Sequence, residues 1–511
     1  MYPGVHAAIY PAKPAVITAE TGRTLTYAEL ETRSAQLAYA LYELGLRQGD
    51  VVGMLSDNAP ECLEIYWAAL RSGIYLTAIN HHLSVDEVAF IATDSDAKVL
   101  IASAGVVLLA ERVLDRLPQI EHRFVFGGSA QGYADYEELL AGAGMNRLRD
   151  QPRGSDMLYS SGTTGRPKGV KPPLLPIQVD EPGDPLTMLA GAAFGFGPDD
   201  VYLSPAPIYH AAPLRWCGAT HAHGGTVVLM EKFDAKGALR AIQDYKVTVT
   251  QMVPTMFVRL LQLGDLRDSY DTSSLRLAVH AAAPCPPDVK RQMIDWWGPI
   301  LVEYYSSTEA NGLTLITSAE WLERPGSVGR SMFGPVHICD DNGAELPDGE
   351  VGTVYFEREV RPFEYHKDPE KTRAAEHPEH DNWTTVGDIG FVEDGYLYLT
   401  DRKSFMIISG GVNIYPQETE NILTLHPAVF DVAVIGIPHP EMGEQVKAVV
   451  QLKEGVDATP ALADELIAHV RERIAHYKVP RTLDFVDDLP RTPTGKLVKR
   501  MLQQRYAESG R

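Results

Sequence analysis

Residues 159–170 combine three glycines with several hydroxyl side chains and two cations, in the order Tyr-Ser-Ser-Gly-Thr-Thr-Gly-Arg-Pro-Lys-Gly-Val. Glycine permits tight turns and lets a ligand come close to the backbone. Successive backbone N–H groups in such a turn can form a concave site for an anion. Because the hydroxyls and Lys168 add further donors, the segment suits a polyphosphate.

An ordinary Gly/Ser/Thr surface loop is the alternative interpretation, and the segment alone is compatible with both. A Walker phosphate loop does not fit, because that motif needs glycine directly before its lysine and Pro167 stands there.

The length of 511 residues predicts two to four domains. An apolar content of 45% and a charged content of 22% are typical of a soluble globular protein. The net charge is 46 − 68 = −22, which argues against nucleic acid or an anionic membrane as the main partner. A nucleotide remains compatible, since it needs only a local positive site.

The chain contains no apolar run of about 18 residues, so no transmembrane helix is expected, and its N-terminus lacks the pattern of a signal peptide. The four cysteines are far apart and lack metal-ligand spacing. They predict reduced, mostly buried thiols in a cytoplasmic protein; they are Cys62, Cys217, Cys285 and Cys339.

The first 150 residues alternate helix and strand signals. Capping boxes begin at Thr26 and Ser84, each with glutamate three places later and an apolar-periodic segment behind it. Strands are predicted at 51–55, 74–79 and 98–102. Such alternation is typical of parallel sheets covered by helices, and we expect this part to be scaffold.

Residues 159–170 resemble the phosphate-binding loop of the adenylate-forming superfamily, which includes acyl-CoA synthetases, luciferases and peptide-synthetase adenylation domains. Four further family-like motifs follow in the same order, at 304–309, 383–388, 407–416 and 490–496. The resemblance covers residues 10–501. It implies that the loop binds ATP phosphates through Ser160, Ser161, Gly162, Thr163, Thr164, Gly165 and Lys168.

Residues 304–309 resemble the family's Tyr-Gly-x-Thr-Glu, with Ser306 in place of the glycine. The match implies that Tyr305 stacks on adenine, as aromatic faces do well, and that Thr308 contacts the α-phosphate. Glu309 is implied to hold Mg²⁺, a hard cation that prefers oxygen ligands.

Small residues at 281–284 resemble the family segment that faces adenine, which assigns Ala282 and Ala283 to the base. A tight turn between a strand and a helix is a compatible interpretation.

Residues 383–388 resemble Trp-x-x-Thr-Gly-Asp, with Val386 in place of threonine. Asp388 is implied to accept hydrogen bonds from the ribose, as an ionised carboxylate can, and Arg402 to contact the same sugar. The segment around Arg402 resembles the boundary between a large N-terminal and a small C-terminal domain. Ser404 stands where the family often has a charged hinge residue.

The two last motifs lie in the smaller domain. Gly410 and Gly411 resemble glycines that face the active site during thioester formation, and Lys496 matches the catalytic lysine. A flexible ammonium can offset charge that grows on carboxylate and phosphate oxygens. The alternative for Lys496 is a solvated terminal lysine, as we expect of Lys499 and Arg500.

Residues 205–210, Pro-Ala-Pro-Ile-Tyr-His, resemble the segment that lines the acid-substrate pocket. We place His210 among the catalytic candidates and in this pocket, with Ala211, Trp216 and Ala219 on the helix that follows. Small residues around one tryptophan suit an apolar slot, and a plain helix core is the alternative. Prolines predict an extended loop at 171–185.

The expected fold is α/β and α+β, with two domains. Residues 1–400 form layered sheets and helices that bind ATP and the acid. Residues 401–511 form a small mobile α+β domain with the catalytic lysine and a hinge near 402–405. The resemblance implies ATP- and Mg²⁺-dependent activation of an apolar carboxylic acid, fatty or aryl, through an acyl-adenylate and its transfer to CoA. Carrier-protein loading and non-catalytic binding of a nucleotide or acyl-CoA are the alternatives, and homodimerisation stays open.

Overall fold

The computed structural model describes residues 1–160, 167–402, 405–410, 412–491 and 497–508. Strands before residue 403 form three sheets, and strands after residue 406 form a fourth. The mixture of parallel sheets, antiparallel sheets and helices confirms the predicted α/β and α+β class.

The N-terminal sheet has six strands, and every neighbouring pair in it is parallel. In spatial order they are Ala134–Asp135, His122–Phe126, Ala97–Ser103, Val51–Leu55, Tyr75–Ile79 and Ser155–Asp156. Both predicted capping boxes are present, since the hydroxyls of Thr26 and Ser84 each accept the backbone N–H of the glutamate three residues later. The alternation of strands and helices predicted for this region is confirmed.

The largest sheet has 14 strands and combines a parallel half with an antiparallel half. In spatial order the antiparallel part runs through Val336–Cys339, Gly352–Glu357, Asp388–Glu393, Tyr396–Arg402, Ser327–Ser331 and Leu313–Thr317, with Trp383–Thr384 beside Gly352–Glu357. The parallel part continues through Leu301–Ser306, Leu277–His280, Val249–Met252, Val201–Ser204, Thr226–Leu229 and Pro14–Thr18, and antiparallel Thr24–Thr26 ends the sheet. Most residues of the central parallel strands are buried, as expected of strands covered on both faces.

Two smaller sheets complete the described part of the chain. One is antiparallel and consists of Glu364–Tyr365, Lys168–Lys171 and Leu158–Ser160. The other lies in the C-terminal part and consists of Val412–Ile414, Ile407–Ser409, Gly443–Leu452 and Val429–His439, with Thr482–Val486 beside Gly443–Leu452. A separate group of buried aliphatic side chains covers this last sheet.

Among the helices that the structure describes, seven have proline at one of their first two positions, where its missing N–H costs nothing. The α-helices are Pro3–Ile9, Tyr27–Glu43, Glu61–Leu70, Val85–Asp94, Val107–Val113, Tyr136–Ala143, Pro185–Phe194, Ala211–Ala222, Ala235–Tyr245, Pro254–Leu261, Pro287–Trp297, Ser318–Glu323, Pro369–Ala374, Pro416–Thr424, Pro460–Arg471 and Lys499–Glu508. Residues 172–184, between a strand and a helix, form the predicted loop. Within the described ranges no helix has both the length and the apolar character needed to cross a bilayer.

The prediction of unpaired, mostly buried cysteines is confirmed. All four are unpaired; Cys62, Cys217 and Cys339 are buried and Cys285 is half-buried.

The expectation that Lys499 is solvated is wrong. This lysine is only 6% exposed, and its Nζ lies 2.8 Å from Glu420 Oε1. The helix Lys499–Glu508 packs on the strand Val429–His439 and carries Lys499 inward, whereas neighbouring Arg500 is exposed as expected.

Candidate active site

Three of the predicted site segments follow parallel strands of the large sheet. Residues 281–283 follow Leu277–His280, and residues 307–309 follow Leu301–Ser306. These two strands are direct neighbours, with Ala278 opposite Leu301 and His280 opposite Glu303. The carboxyl ends of parallel strands share one edge of a sheet, where α/β proteins bind ligands. The segment 205–210 follows Val201–Ser204 and lies at the same edge.

The turn at Ala282 supports a close approach of a flat ligand. Ala282 is exposed and has φ of 73°, in the left-handed region. For a residue with a Cβ, this backbone conformation costs about 1 kcal/mol. The turn at this edge is therefore strained, and the side chain that it carries is small. Ala281 is buried and Ala283 half-buried. The interpretation as a tight turn is confirmed, while the contact with adenine stays a prediction.

Tyr305 and Asp388, which the sequence assigned to adenine and ribose, contact each other. The Tyr305 hydroxyl donates a hydrogen bond of 2.5 Å to Asp388 Oδ2, and the Tyr305 ring lies against Phe356. Asp388 is only 6% exposed. In the sheet Asp388 stands opposite Arg402. The fold therefore brings both nucleoside motifs, and the backbone of Arg402, to one place.

Lys168 and Glu309 also meet, although 140 residues separate them in the sequence. Lys168 Nζ lies 3.7 Å from Glu309 Oε1. The Tyr365 hydroxyl lies between them, since it accepts a hydrogen bond of 2.8 Å from Lys168 Nζ and donates one of 2.9 Å to Glu309 Oε1. The Lys168 ammonium is also 4.0 Å from the centroid of the Tyr365 ring. The predicted phosphate-binding lysine and metal-binding carboxylate thus form one cluster.

Sequence reasoning missed Tyr365. It reaches the cluster because its strand pairs with Lys168–Lys171, with Tyr365 opposite Val170, and because the His366 N–H donates to the Gly169 carbonyl at 2.8 Å. A single Tyr beside Glu364 in an irregular stretch carries no local signal for this position. Only the strand pairing reveals it.

The chemistry of this cluster fits Mg²⁺. Glu309 is 7% exposed and offers carboxylate oxygens beside a half-buried Thr308. Within the part of the chain that the structure describes, no group of three or more His, Cys, Asp or Glu side chains converges. Mg²⁺ usually takes one or two carboxylates together with substrate phosphates and water, rather than a cage of protein ligands. One buried carboxylate beside the lysine predicted to bind phosphate matches that preference.

His210 directly precedes the helix Ala211–Ala222 and lies in a group of aromatic rings. Its ring centroid is 4.5 Å from that of Tyr209, and Tyr209 is 5.5 Å from His81. Burial lowers the pKa of His81 and raises the pKa of the Tyr209 hydroxyl. His81 is therefore neutral near pH 7, and these rings lie at the edge where the site segments meet.

Trp216 and Ala219 lie in the core. Trp216 is 1% exposed and packs against other rings, those of Phe194, Phe196, Tyr202 and Tyr304. Its Nε1 donates to the Tyr304 hydroxyl at 3.4 Å. Ala211 is half-buried. The structure thus gives Trp216 the packing of a core residue, the alternative that the sequence left open, and its role in an acid pocket stays a prediction.

Several predicted site residues lie outside the described residues: Ser161, Gly162, Thr163, Thr164, Gly165, Ser404, Gly411 and Lys496. Of the phosphate loop, Ser160 ends one strand and Lys168 begins the next, and these strands pair with Ser160 opposite Lys168. Gly410 is exposed at φ of 59° and donates its N–H to the Met442 carbonyl at 2.8 Å. Its role stays a prediction.

The residues that flank Lys496 are well anchored. Arg491 and Leu497 form an isolated β-bridge, and the Arg491 guanidinium binds Asp431 through two hydrogen bonds, of which Nη2 to Oδ1 measures 2.6 Å. The Val498 N–H donates to the Pro490 carbonyl at 2.7 Å. The chain therefore enters and leaves the segment 492–496 at adjacent positions.

Comparison with known proteins agrees with this arrangement. Residues 5–359 match the family model of the AMP-binding enzymes, and residues 418–496 match that of the AMP-binding enzyme C-terminal domain. A feruloyl-CoA synthase from an Amycolatopsis species is 36% identical over 500 residues, which cover 95% of this chain and 94% of the relative. The long-chain-fatty-acid–CoA ligase FadD13 of Mycobacterium tuberculosis is 31% identical over 98% of this chain and 97% of its own.

A solved structure shares the whole architecture. The anthranilate CoA ligase AuaEII, in complex with anthranoyl-AMP, superposes with a TM-score of 0.85 and 27% identity over 99% of this chain and 97% of that chain. Together with the family models and the convergence of the nucleotide motifs, these matches leave one conclusion. The chain belongs to the adenylate-forming family of AMP-binding enzymes and is an AMP-forming acid–thiol ligase.

Proposed function

We propose that this enzyme activates an apolar carboxylic acid, fatty or aryl, and joins it to CoA in two half-reactions. In the first, the carboxylate attacks the α-phosphorus of ATP, which gives acyl-adenylate and releases pyrophosphate. In the second, the CoA thiol attacks the acyl carbon, loses its proton and displaces AMP. The products are acyl-CoA, AMP and pyrophosphate.

The described residues supply the nucleotide half of this site. Tyr305 and Asp388 hold adenine and ribose, and the backbone at Ala282 and Ala283 faces the base. Lys168 binds the phosphates that leave as pyrophosphate. Glu309 would hold Mg²⁺, which would supply positive charge beside these phosphates. Positioning and charge stabilisation are the main contributions of a protein to phosphorus transfer.

Lys496 completes the first half-reaction in this proposal, because its ammonium offsets charge on the entering carboxylate and the α-phosphate. We assign residues 1–400 to ATP and acid binding and residues 401–511 to a smaller domain that rotates about residues 402–405. Rotation withdraws Lys496 and presents Gly410 and Gly411 for the thioester step. In this proposal His210 and Ala211 border the acid, and Trp216 and Ala219 support that wall of the pocket from the core.

The single observation that carries the proposal is the convergence of the nucleotide motifs. Lys168 and Glu309 lie 3.7 Å apart, and Tyr305 bonds to Asp388, in segments that the sequence separates widely. The names of the relatives, a feruloyl-CoA synthase and a long-chain-fatty-acid–CoA ligase, support aryl and fatty acids as the substrate classes. The four unpaired cysteines support a reducing compartment such as the cytoplasm.

Product analysis tests the proposal. The protein is incubated with ATP, Mg²⁺, CoA and a mixed panel of fatty and aryl acids, and the products are separated by mass. AMP together with an acyl-CoA thioester is the expected result and names the acid. AMP and acyl-adenylate without thioester would instead assign a carrier protein as acceptor. Absence of AMP with every acid on the panel would contradict catalysis on these acid classes.

A further inference from the structure

Tyr365 links two groups of opposite charge. Its hydroxyl accepts from Lys168 Nζ at 2.8 Å and donates to Glu309 Oε1 at 2.9 Å. The direct distance from Lys168 Nζ to Glu309 Oε1 is longer, 3.7 Å. The hydroxyl therefore makes hydrogen bonds of normal length to both groups, while the ammonium and the carboxylate do not close on each other.

The position of Tyr365 is determined by the backbone around it. It is 4% exposed and lies opposite Val170 in the small sheet. Its N–H donates to Thr372 Oγ1 at 2.9 Å, and its ring meets Phe363 edge to face. Because the same sheet contains Lys168, the distance from the Tyr365 hydroxyl to this lysine is set by strand pairing.

The direction of the hydrogen bonds has a chemical consequence. Tyr365 donates to Oε1 of Glu309, and among the residues that the structure describes none donates to Oε2. A carboxylate held through one oxygen leaves its second oxygen available for a cation. Without the hydroxyl, the half-buried Lys168 ammonium and the buried Glu309 carboxylate would approach and pair directly, because an unpaired buried charge is costly.

We infer that Tyr365 is a positioning residue, which holds Lys168 and Glu309 apart so that the first meets phosphate and the second meets the metal. This inference rests on the proposed function, because it uses the roles given there to Lys168 and Glu309. In this role Tyr365 contacts the two charged groups rather than the reacting phosphorus or the acid. It acts on nucleotide binding through the two charged groups that it holds.

A double-mutant cycle on nucleotide binding tests this inference without any acid or CoA. Calorimetric titration measures the Kd of MgATP for the full chain and for Tyr365→Phe, Glu309→Gln and the double variant. Tyr365→Phe keeps the ring and its contact with the Lys168 ammonium but loses the hydroxyl. We expect about a tenfold weaker Kd for Tyr365→Phe, the size of a lost hydrogen bond to a charged group.

The decisive readout is coupling between the two positions. If Tyr365 acts through Glu309, Tyr365→Phe weakens MgATP binding by less than about twofold once Glu309 is already glutamine. The inference is overturned if Tyr365→Phe weakens MgATP binding by the same factor whether residue 309 is glutamate or glutamine. A Glu309→Gln variant that binds MgATP as tightly as the unmodified chain would also overturn it. Tyr133→Phe is the matched control, because it loses one hydroxyl hydrogen bond, to the Ala110 carbonyl, away from the site, and its Kd is expected to stay unchanged.

Failure of the proposed function gives a different pattern. A chain that shows the expected coupling in MgATP binding but forms no AMP with any acid supports the role of Tyr365 and contradicts the ligase reaction. The unfolding temperatures of all variants are compared as well, and a loss of binding that follows a loss of stability across variants would assign Tyr365 a structural role and overturn the inference.

Discussion

The Tyr305 hydroxyl donates a 2.5 Å hydrogen bond to Oδ2 of Asp388, which lies 83 positions further along the chain. The two residues belong to separate strands of the large sheet, Leu301–Ser306 and Asp388–Glu393. The bond orients the carboxylate proposed to hold the ribose, and it fixes the ring proposed to hold adenine. One contact therefore organises the nucleoside half of the site.

Removing this hydroxyl should weaken ATP binding more than it affects the later steps. We expect Tyr305→Phe to raise the KM for ATP about tenfold in ATP–pyrophosphate exchange, since a hydrogen bond to a charged group contributes about 1.5 kcal/mol. Tyr304→Phe is the control from the same strand, because the Tyr304 hydroxyl faces Trp216 instead. An equal change in the KM for ATP in both variants would contradict the role of the Tyr305–Asp388 bond.

Loss of the Lys496 ammonium should separate the two half-reactions. Lys496→Ala is expected to slow adenylate formation by at least about 10²-fold, the scale for loss of one transition-state donor. It should spare thioester formation from preformed acyl-adenylate. Single-turnover assays of each step measure this, with the exposed Arg500→Ala as the control. Similar losses in both steps would show that Lys496 is not specific to adenylation.

The buried pair of Lys499 and Glu420 should contribute to the stability of the C-terminal part. Glu420 Oε1 also accepts the Val434 N–H at 2.7 Å, so Lys499→Met leaves a buried carboxylate without its cation. We expect a loss of about 3 kcal/mol in the free energy of unfolding. The neighbouring exposed residue provides the comparison, because Arg500→Met should change this free energy by less than about 0.5 kcal/mol. Denaturant unfolding followed by the fluorescence of a dye attached to the C-terminal part would measure both, and equal stabilities would refute the contribution.

His221 should make the fold sensitive to acid. Burial lowers its pKa to about 4, and its neutral ring accepts from Trp67 Nε1 at 3.1 Å through Nδ1 while Nε2 contacts the Ala15 carbonyl at 3.0 Å. The unfolded chain takes up the proton near pH 6.5 and the folded chain only near pH 4. The contribution of neutral His221 to the free energy of unfolding is therefore fully present above pH 6.5. It falls by about 3 kcal/mol as the pH drops from 6.5 to 4.

NMR titration of labelled histidines can measure the pKa of His221 directly, with His221→Gln to assign its signal. Denaturant unfolding at pH 7.5 and pH 5 then measures the stability effect. We expect His221→Gln to reduce the difference between the two pH values, whereas the exposed His476→Gln keeps it. A His221 resonance that titrates near pH 6.5 would contradict the assigned tautomer and burial.

Local features of the chain predicted much of the fold. The capping boxes at Thr26 and Ser84 appear where they were expected. Capping and periodicity depend on residues within one or two turns, so a single sequence contains the whole signal. Short motifs also led to Tyr305, Glu309 and Asp388, through their resemblance to a known family, and the roles of these residues stay predictions.

Packing decided what local signals could not. The sequence left Trp216 between a pocket and a core, and its surrounding rings, from residues 194 to 304, place it in the core. Lys499 was expected in solvent, and the docking of its helix buries it against Glu420. In both cases the neighbours that set the environment are distant in sequence.

The sequence by itself determined the family, the order of the motifs and the chemical character of each site residue, because these depend on residue type and short spacing. Only the tertiary structure decided that Tyr365 stands between Lys168 and Glu309, since 197 and 56 positions separate it from them. That placement depends on a strand pair in the small sheet and on the edge of a different sheet. Long-range strand pairing has no short-range signature, and so the residue that joins the two charges is visible only in the folded chain.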